Sequence, residues 1–265
     1  MLPGRVRRGE GSDVTLELTV LGSAGTYPSA GRLCSGHLVR AGDTAVLLDA
    51  GNGSTANLQR IVPWGDVDAV IVSHGHVDHC VDLVGAYYAL RFDPSFGRRM
   101  PLYAPSGVSA LLSELTESAS PMTFGDVFEP HDVTGGDEVT VGSLQVRFAD
   151  SVHPPPSVSM RLEAGGRSLV YSGDSAGGEE LVDLARGADL FLCEATWSGD
   201  AADYPEGMHL TGRGAGEVAE AAGVGRLVLT HLAGSVDRER VRREAASAFT
   251  GPVDLADDLR SWVLS

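Results

Sequence analysis

Ala69-Val70-Ile71-Val72-Ser73-His74-Gly75-His76-Val77-Asp78-His79 is the stretch that decides how this chain is read. The four apolar residues at its start read as a buried strand. Three histidines and one aspartate then follow between positions 74 and 79. Neutral imidazole nitrogen and carboxylate oxygen are zinc donors. A strand cannot aim them at one point, because successive side chains face opposite ways. A turn can, and Gly75 gives that turn its backbone freedom. The stretch therefore predicts a metal site at the end of a core strand.

Outward from that stretch, 265 residues suffice for one large domain with a substantial core. A net charge of −16 opposes nonspecific binding to phosphate backbones. It leaves room for a small anionic substrate, since bound cations reverse the local field. Cys34, Cys80 and Cys193 are odd in number and far apart, which fits reduced thiols in a cytoplasmic setting. Arg5, Arg7 and Arg8 precede no apolar run, so no signal peptide is expected. No stretch has the length of a membrane span. Residues 1–13 read as a flexible tail and 14–265 as a single domain.

Leu16 to Leu21 alternates as a first strand and is followed by the turn-rich loop Gly22 to Pro28. Gly36 to Arg40 and Thr44 to Asp49 predict a hairpin. Ser54 to Ile61, Val81 to Leu90, Ser106 to Glu117, Glu179 to Ala185, Thr211 to Ala222 and Val236 to Ala248 predict helices. Leu102 to Ala104, Glu138 to Val141, Gln145 to Ala149, Ser157 to Ala164, Arg167 to Ser172, Leu190 to Glu194 and Arg226 to Thr230 predict strands. Strands in both halves with helices between them fit two packed sheets with helices outside. Three further polar residues follow apolar runs: His153 after Gln145 to Ala149, Asp174 after Leu169 to Gly173, and His231 after Leu227 to Thr230. Strand ends can converge on one rim, so these three join the motif as candidate ligands.

His74-Gly75-His76-Val77-Asp78-His79 resembles the HxHxDH signature of the metallo-β-lactamase superfamily, and His153, Asp174 and His231 match its later ligand positions in order. The resemblance runs from Leu18 to the C-terminus. It implies an α/β fold, the αββα sandwich of two mixed β-sheets flanked by helices. It also implies two divalent metal ions, expected as Zn²⁺ with Mn²⁺ or iron as alternatives. His74, His76 and His153 would hold the first, Asp78, His79 and His231 the second, with Asp174 bridging. Two metals about 3.5–4 Å apart can share a water and acidify it to near neutrality, and Asp78 would orient that hydroxide and take its proton.

Met208-His209-Leu210-Thr211 and Leu21-Gly22-Ser23-Ala24-Gly25-Thr26 resemble elements of the ribonuclease Z branch. There the histidine aids the phosphoryl transition state or protonates the leaving oxygen, which implies a catalytic His209. Tyr171 to Asp174, Phe191 to Trp197 and His79 to Leu83 are similar to compact actinobacterial cyclic-nucleotide phosphodiesterases. That likeness implies hydrolysis of a small cyclic nucleotide, with Glu194 and Trp197 lining the substrate pocket and Trp197 stacking on a base. The alternatives are ribonuclease Z-type tRNA 3′ processing and hydrolysis of a carbon ester, lactone or thioester. Between Ala185 and Trp197 there is no room for the arm with which ribonuclease Z grips tRNA. The expected partner is thus a small phosphodiester, without nucleic acid or membrane, and homodimers are common in the branch. His37 and His131 match no ligand position.

Overall fold

The structure is a computed structural model and describes residues 14–93, 96–117 and 123–265. The tail expected at 1–13 lies outside the described residues. The strands of the first half are β1 (Leu16–Gly22), β2 (Ala24–Gly25), β3 (Gly36–Ala41), β4 (Thr44–Ala50), β5 (Ala69–Ile71), β6 (Met100–Ala104) and β7 (Phe128–Asp132). The second half contributes β8 (Glu138–Val141), β9 (Leu144–Asp150), β10 (Val158–Ala164), β11 (Arg167–Tyr171), β12 (Leu190–Glu194), β13 (Leu227–Thr230), β14 (Leu232–Ala233), β15 (Val253–Leu255) and β16 (Ser261–Leu264). The helices are α1 (Ser54–Leu58), α2 (Val77–Cys80), α3 (Asp82–Phe92), α4 (Val108–Glu117), α5 (Glu179–Ala185), α6 (Gly212–Ala222) and α7 (Arg238–Ala246).

One sheet has the order β16-β1-β3-β4-β5-β6-β7 and the other β15-β13-β12-β11-β10-β9-β8. Each sheet is antiparallel on one side and parallel on the other. The reason is connectivity: hairpins join antiparallel neighbours, whereas parallel neighbours need a crossover, here helical. Helices α2 and α3 lie between β5 and β6, and α5 and α6 precede β12 and β13. Alternation along the strands then makes three apolar layers. Leu18, Val39 and Leu48 meet Phe148, Leu162 and Leu192 between the sheets. Leu38, Leu47 and Val70 face α3 and α4, and Val170, Phe191 and Leu229 face α5 and α6. The αββα sandwich is therefore present. Among the described residues no helix is long and apolar enough to cross a membrane.

Two differences from the sequence reading matter. The motif is half loop and half helix: Asp78 and His79 sit in α2, immediately after the loop that carries His74 and His76. Strand β7, Phe-Glu-Pro-His-Asp, was not expected, because proline and charge argue against a central strand. It lies at the sheet edge, where proline is tolerated. The α6 ends agree with the sequence: Thr211 caps the N-terminus through Gly214 N–H, and Gly223 closes the C-terminus at φ 64°.

Candidate metal centre

Seven side chains converge where the strands of both sheets end. His74 and His76 follow β5, His153 follows β9, Asp174 follows β11 and His231 follows β13. His74, His79, Asp174 and His231 are at most 2% exposed. Four zinc ligands at about 2.0–2.1 Å stand about 3.4 Å from one another, and the donors here have that spacing. In the first set His76 Nδ1 is 2.9 Å from His74 Nε2 and 3.2 Å from His153 Nε2. Asp174 Oδ2 stands 3.7 Å from His74 Nε2 and 3.8 Å from His153 Nε2. In the second set His231 Nε2 is 3.2 Å from both His79 Nε2 and Asp78 Oδ2. Asp174 Oδ1 is 3.2 Å from His79 Nε2 and 3.4 Å from His231 Nε2. One oxygen of Asp174 thus faces each set.

The residues fit a pair of cations. Asp174 Oδ1 is buried and, once His79 is neutral, has no hydrogen-bond donor among the described residues, an expensive state for a carboxylate unless a cation faces it. The imidazoles are also held in the tautomers ligation needs. His79 Nδ1–H donates to Asp49 Oδ2 at 2.7 Å, His153 Nδ1–H to the Met208 carbonyl at 2.7 Å, and His231 Nδ1–H to Thr196 Oγ1 at 2.8 Å. In the neutral ring each leaves the Nε2 lone pair facing inward. The site is suited to metal ions by its donor types, spacing and tautomers alike.

Local backbone shape achieves this at a cost. Thr26, Asp49 and His231 have φ of 65°, 56° and 53°, a left-handed region that strains non-glycine residues by about 1–3 kcal/mol each. The pairing of β3 with β4 slips between Gly36 and His37, leaving Asp49 as the extra residue of a bulge. The bulge turns its carboxylate toward His79. There it also accepts Ser73 N–H, Ser73 Oγ–H and the Tyr171 hydroxyl, at 2.7, 2.9 and 2.7 Å. Thr26 N–H donates to Asp78 Oδ2 at 2.8 Å. At Gly25 a Cβ would stand 2.5 Å from the His231 carbonyl, so only glycine lets this loop pass.

Electrostatics divides the histidines. Burial pushes His74, His76 and His153 below the ordinary imidazole value, so they are neutral and ready to ligate. Burial also acts to lower His79, but Asp174 and Asp49 outweigh it and hold this ring well above the ordinary value. Burial would raise Asp174 and Asp78, yet the surrounding histidines keep both carboxylates ionised. Metal must therefore displace a proton from His79. Zinc affinity should rise with pH across the neutral range, with proton release visible by calorimetry in buffers of different ionisation enthalpy. An affinity independent of pH would contradict this protonation state.

His209 lines a cavity beside the ligand sets, its ring 5.0 Å from that of His153 and 5.5 Å from that of His231. That cavity holds about 410 Å³ and is lined by Thr26, Gly75, His76, Val77, Asp78, Asp174, Met208, His209 and His231. His209 Nδ1–H donates to Glu194 Oε1 at 2.9 Å. Burial lowers its pKa, but the Glu194 hydrogen bond and charge, with Asp174, raise it overall.

Glu194 stands behind the cavity wall and not on it. Glu194 is fully buried. It accepts Ser175 N–H at 2.8 Å and the Thr196 hydroxyl at 2.8 Å besides His209. It therefore anchors His209, and through Thr196 also His231. Trp197 stacks on Tyr204 at 4.4 Å and meets the His209 ring edge-on at 5.1 Å. It braces His209 from the side.

Asp49 and Thr196 were missed as ligand anchors. Leu47-Leu48-Asp49 carries the same signal that marks Asp174, a carboxylate ending an apolar run. His131 stacks on Tyr103 and stands in none of the donor groups. The three cysteines are buried free thiols pushed upward by burial, Cys34 and Cys80 to about 12, and none stands in the donor groups of the centre.

An αββα sandwich whose sheet ends gather seven histidine and aspartate donors defines a metal-dependent hydrolase. A family model described as beta-lactamase superfamily domain matches residues 44–232. An uncharacterized protein of Mycobacterium leprae is 39% identical over 254 residues, covering 92% of this chain and 87% of that protein. Ribonuclease Z of Methanopyrus kandleri is 32% identical over 284 residues, covering 93% and 98%. The crystal structure of the metallo-β-lactamase fold protein YhfI from Bacillus subtilis superposes with a TM-score of 0.83 at 27% identity, covering 95% of this chain and all of that one. The chain belongs to the β-lactamase superfamily, close to its ribonuclease Z-like members.

Proposed function

We propose that this hydrolase is a dinuclear-metal phosphodiesterase that opens a small cyclic nucleotide of the cyclic AMP kind to the nucleoside monophosphate. The observation that carries the reading is His209: a histidine backed by a buried carboxylate, lining a cavity of about 410 Å³ beside seven metal-type donors. Ligand pockets for molecules of nucleotide size span about 300–1,000 Å³.

Two bound cations would supply Lewis acidity and a water acidified enough to attack at neutral pH. His74, His76 and His153 would hold one and Asp78, His79 and His231 the other, with Asp174 between them. Asp78, kept ionised by its histidine neighbours, orients the attacking water and takes up its proton. As the new P–O bond forms, the P–O bond to the ribose oxygen breaks. His209 Nε2–H donates its proton to that leaving oxygen, and Glu194 stabilises the cationic ring beforehand. Such an acid serves an alkoxide leaving group, as in a cyclic nucleotide, and is idle for a thioester, whose thiolate leaves without a proton. The net charge of −16 favours a small phosphodiester over a tRNA.

A turnover panel with added zinc or manganese tests the reading. It contains cyclic AMP, cyclic GMP, a bis-aryl phosphodiester, a precursor tRNA and a lactone. Cyclic nucleotides should be hydrolysed well above the tRNA. Faster tRNA cleavage would favour the ribonuclease Z reading, and activity confined to the lactone would overturn phosphodiester chemistry.

A further inference from the structure

Beneath the metal centre, between the sheets, lies a polar layer that the reaction does not use. His37 is fully buried on β3, and neither ring nitrogen has a hydrogen-bond partner among the described residues. The Ser35 and Thr230 hydroxyls are buried and unpartnered in the same way. Strand alternation sets Ser35 and His37 on the face of Val39 and Ala41, and Thr230 on the face of Val228. Those residues belong to the inter-sheet core. The charges acting on His37 are Asp49, His79 and His231, so the layer adjoins the second ligand set. Ser35 stands close to the Tyr171 phenol.

We propose that Ser35, His37 and Thr230 enclose a water-binding site between the sheets, and that His37, through this water and Tyr171, is a positioning residue for Asp49 and so for His79. The donor set decides the ligand. It consists of one imidazole and two neutral hydroxyls, while the oxygens of Asp49 are already engaged by Ser73, His79 and Tyr171. Such groups suit a neutral molecule that both donates and accepts, and buried polar groups of this kind are met by ordered water. Burial keeps His37 neutral, pushing it down to about 3, so it offers one N–H and one lone pair.

The mechanical link is direct. The edge of the His37 ring packs on Tyr171, with centroids 4.8 Å apart at 73°. Tyr171 donates to Asp49 Oδ2 at 2.7 Å, the same oxygen that receives His79 Nδ1–H at 2.7 Å. A tilt of the phenol therefore changes the donor set of the carboxylate that orients a ligand.

The inference rests on His79 as a metal ligand. The test compares parent, His37→Leu and His37→Gln in metal-free and zinc-loaded forms, with Thr230→Val in reserve should the leucine variant fail to fold. Outer partners of metal ligands are worth about 10–100-fold in affinity. His37→Leu should thus weaken the second zinc about tenfold and lower kcat without raising KM. The metal-free Tm should stay unchanged or rise, because leucine suits an apolar layer, and glutamine should restore most of the affinity. An atomic-resolution crystal structure should place water within hydrogen-bond reach of His37 and Thr230. A dry layer, parental zinc affinity in His37→Leu, or a loss that tracks a lower metal-free Tm and resists glutamine would overturn the inference. A parent that takes up no zinc defeats the ligand assignment itself, which is a separate outcome.

Discussion

Asp174→Ala should empty both proposed metal sites at once and cut turnover on the order of 10⁴-fold or more. Asp174 is the one side chain in the centre whose two oxygens face different ligand sets, Oδ2 toward His74 and His153, Oδ1 toward His79 and His231. It also brings negative charge into a site otherwise rich in imidazoles, where cations would repel each other most. Replacing His153 removes one donor from one set, so His153→Ala should keep more metal than Asp174→Ala. The measurement is metal per chain by mass spectrometry, beside kcat at saturating substrate. Circular dichroism reports whether the sandwich persists, as the large inter-sheet core predicts. Loss of metal should also remove the rise in Tm that zinc gives the parent. Two metals retained with near-parental turnover would take Asp174 out of the bridging position.

His209→Ala should lower kcat on cyclic AMP by about 10²–10⁴-fold while leaving metal content unchanged. Its Nδ1 is committed to Glu194 at 2.9 Å and stands farther from Asp174, at 3.8 Å. The ligand sets are complete without it. A bis-aryl phosphodiester separates the acid role from a packing role: a phenolate leaves without a proton, so the variant should cleave it almost as the parent does. The pH dependence has a definite sign. The acting form is protonated, and Glu194 raises the pKa, so activity holds below that pKa and falls as pH rises through it. Glu194→Gln removes the raising charge and should move this alkaline limb to lower pH. Equal losses on both substrates, or an unmoved limb, would remove His209 as the acid.

The candidate metal site was legible in the sequence because its chemistry is local. Three imidazoles and a carboxylate cannot be crowded after a core strand without a use, and His153, Asp174 and His231 each end an apolar run. The strands were legible for the same reason, since burial on one or both faces writes itself as alternation or as an apolar run. Strand β7 escaped because an edge position forgives Pro130. Glu194 was located but misassigned: a carboxylate at a strand end reads the same whether it faces a substrate or a histidine.

The sequence by itself therefore determined the fold, the seven candidate donors and the presence of His209 beside them. The tertiary structure decided which atoms of those residues meet. The separation of Asp174 into two faces, the bulge that turns Asp49 onto His79, the anchoring of His209 by Glu194 and the polar layer around His37 all depend on it. Donor type and periodicity are properties of neighbouring residues, and the chain states them directly. Convergence joins residues as far apart as His79 and His231, 152 positions distant yet 3.2 Å apart. It is set by left-handed backbone turns and by the packing of one sheet on the other, which no local stretch encodes alone.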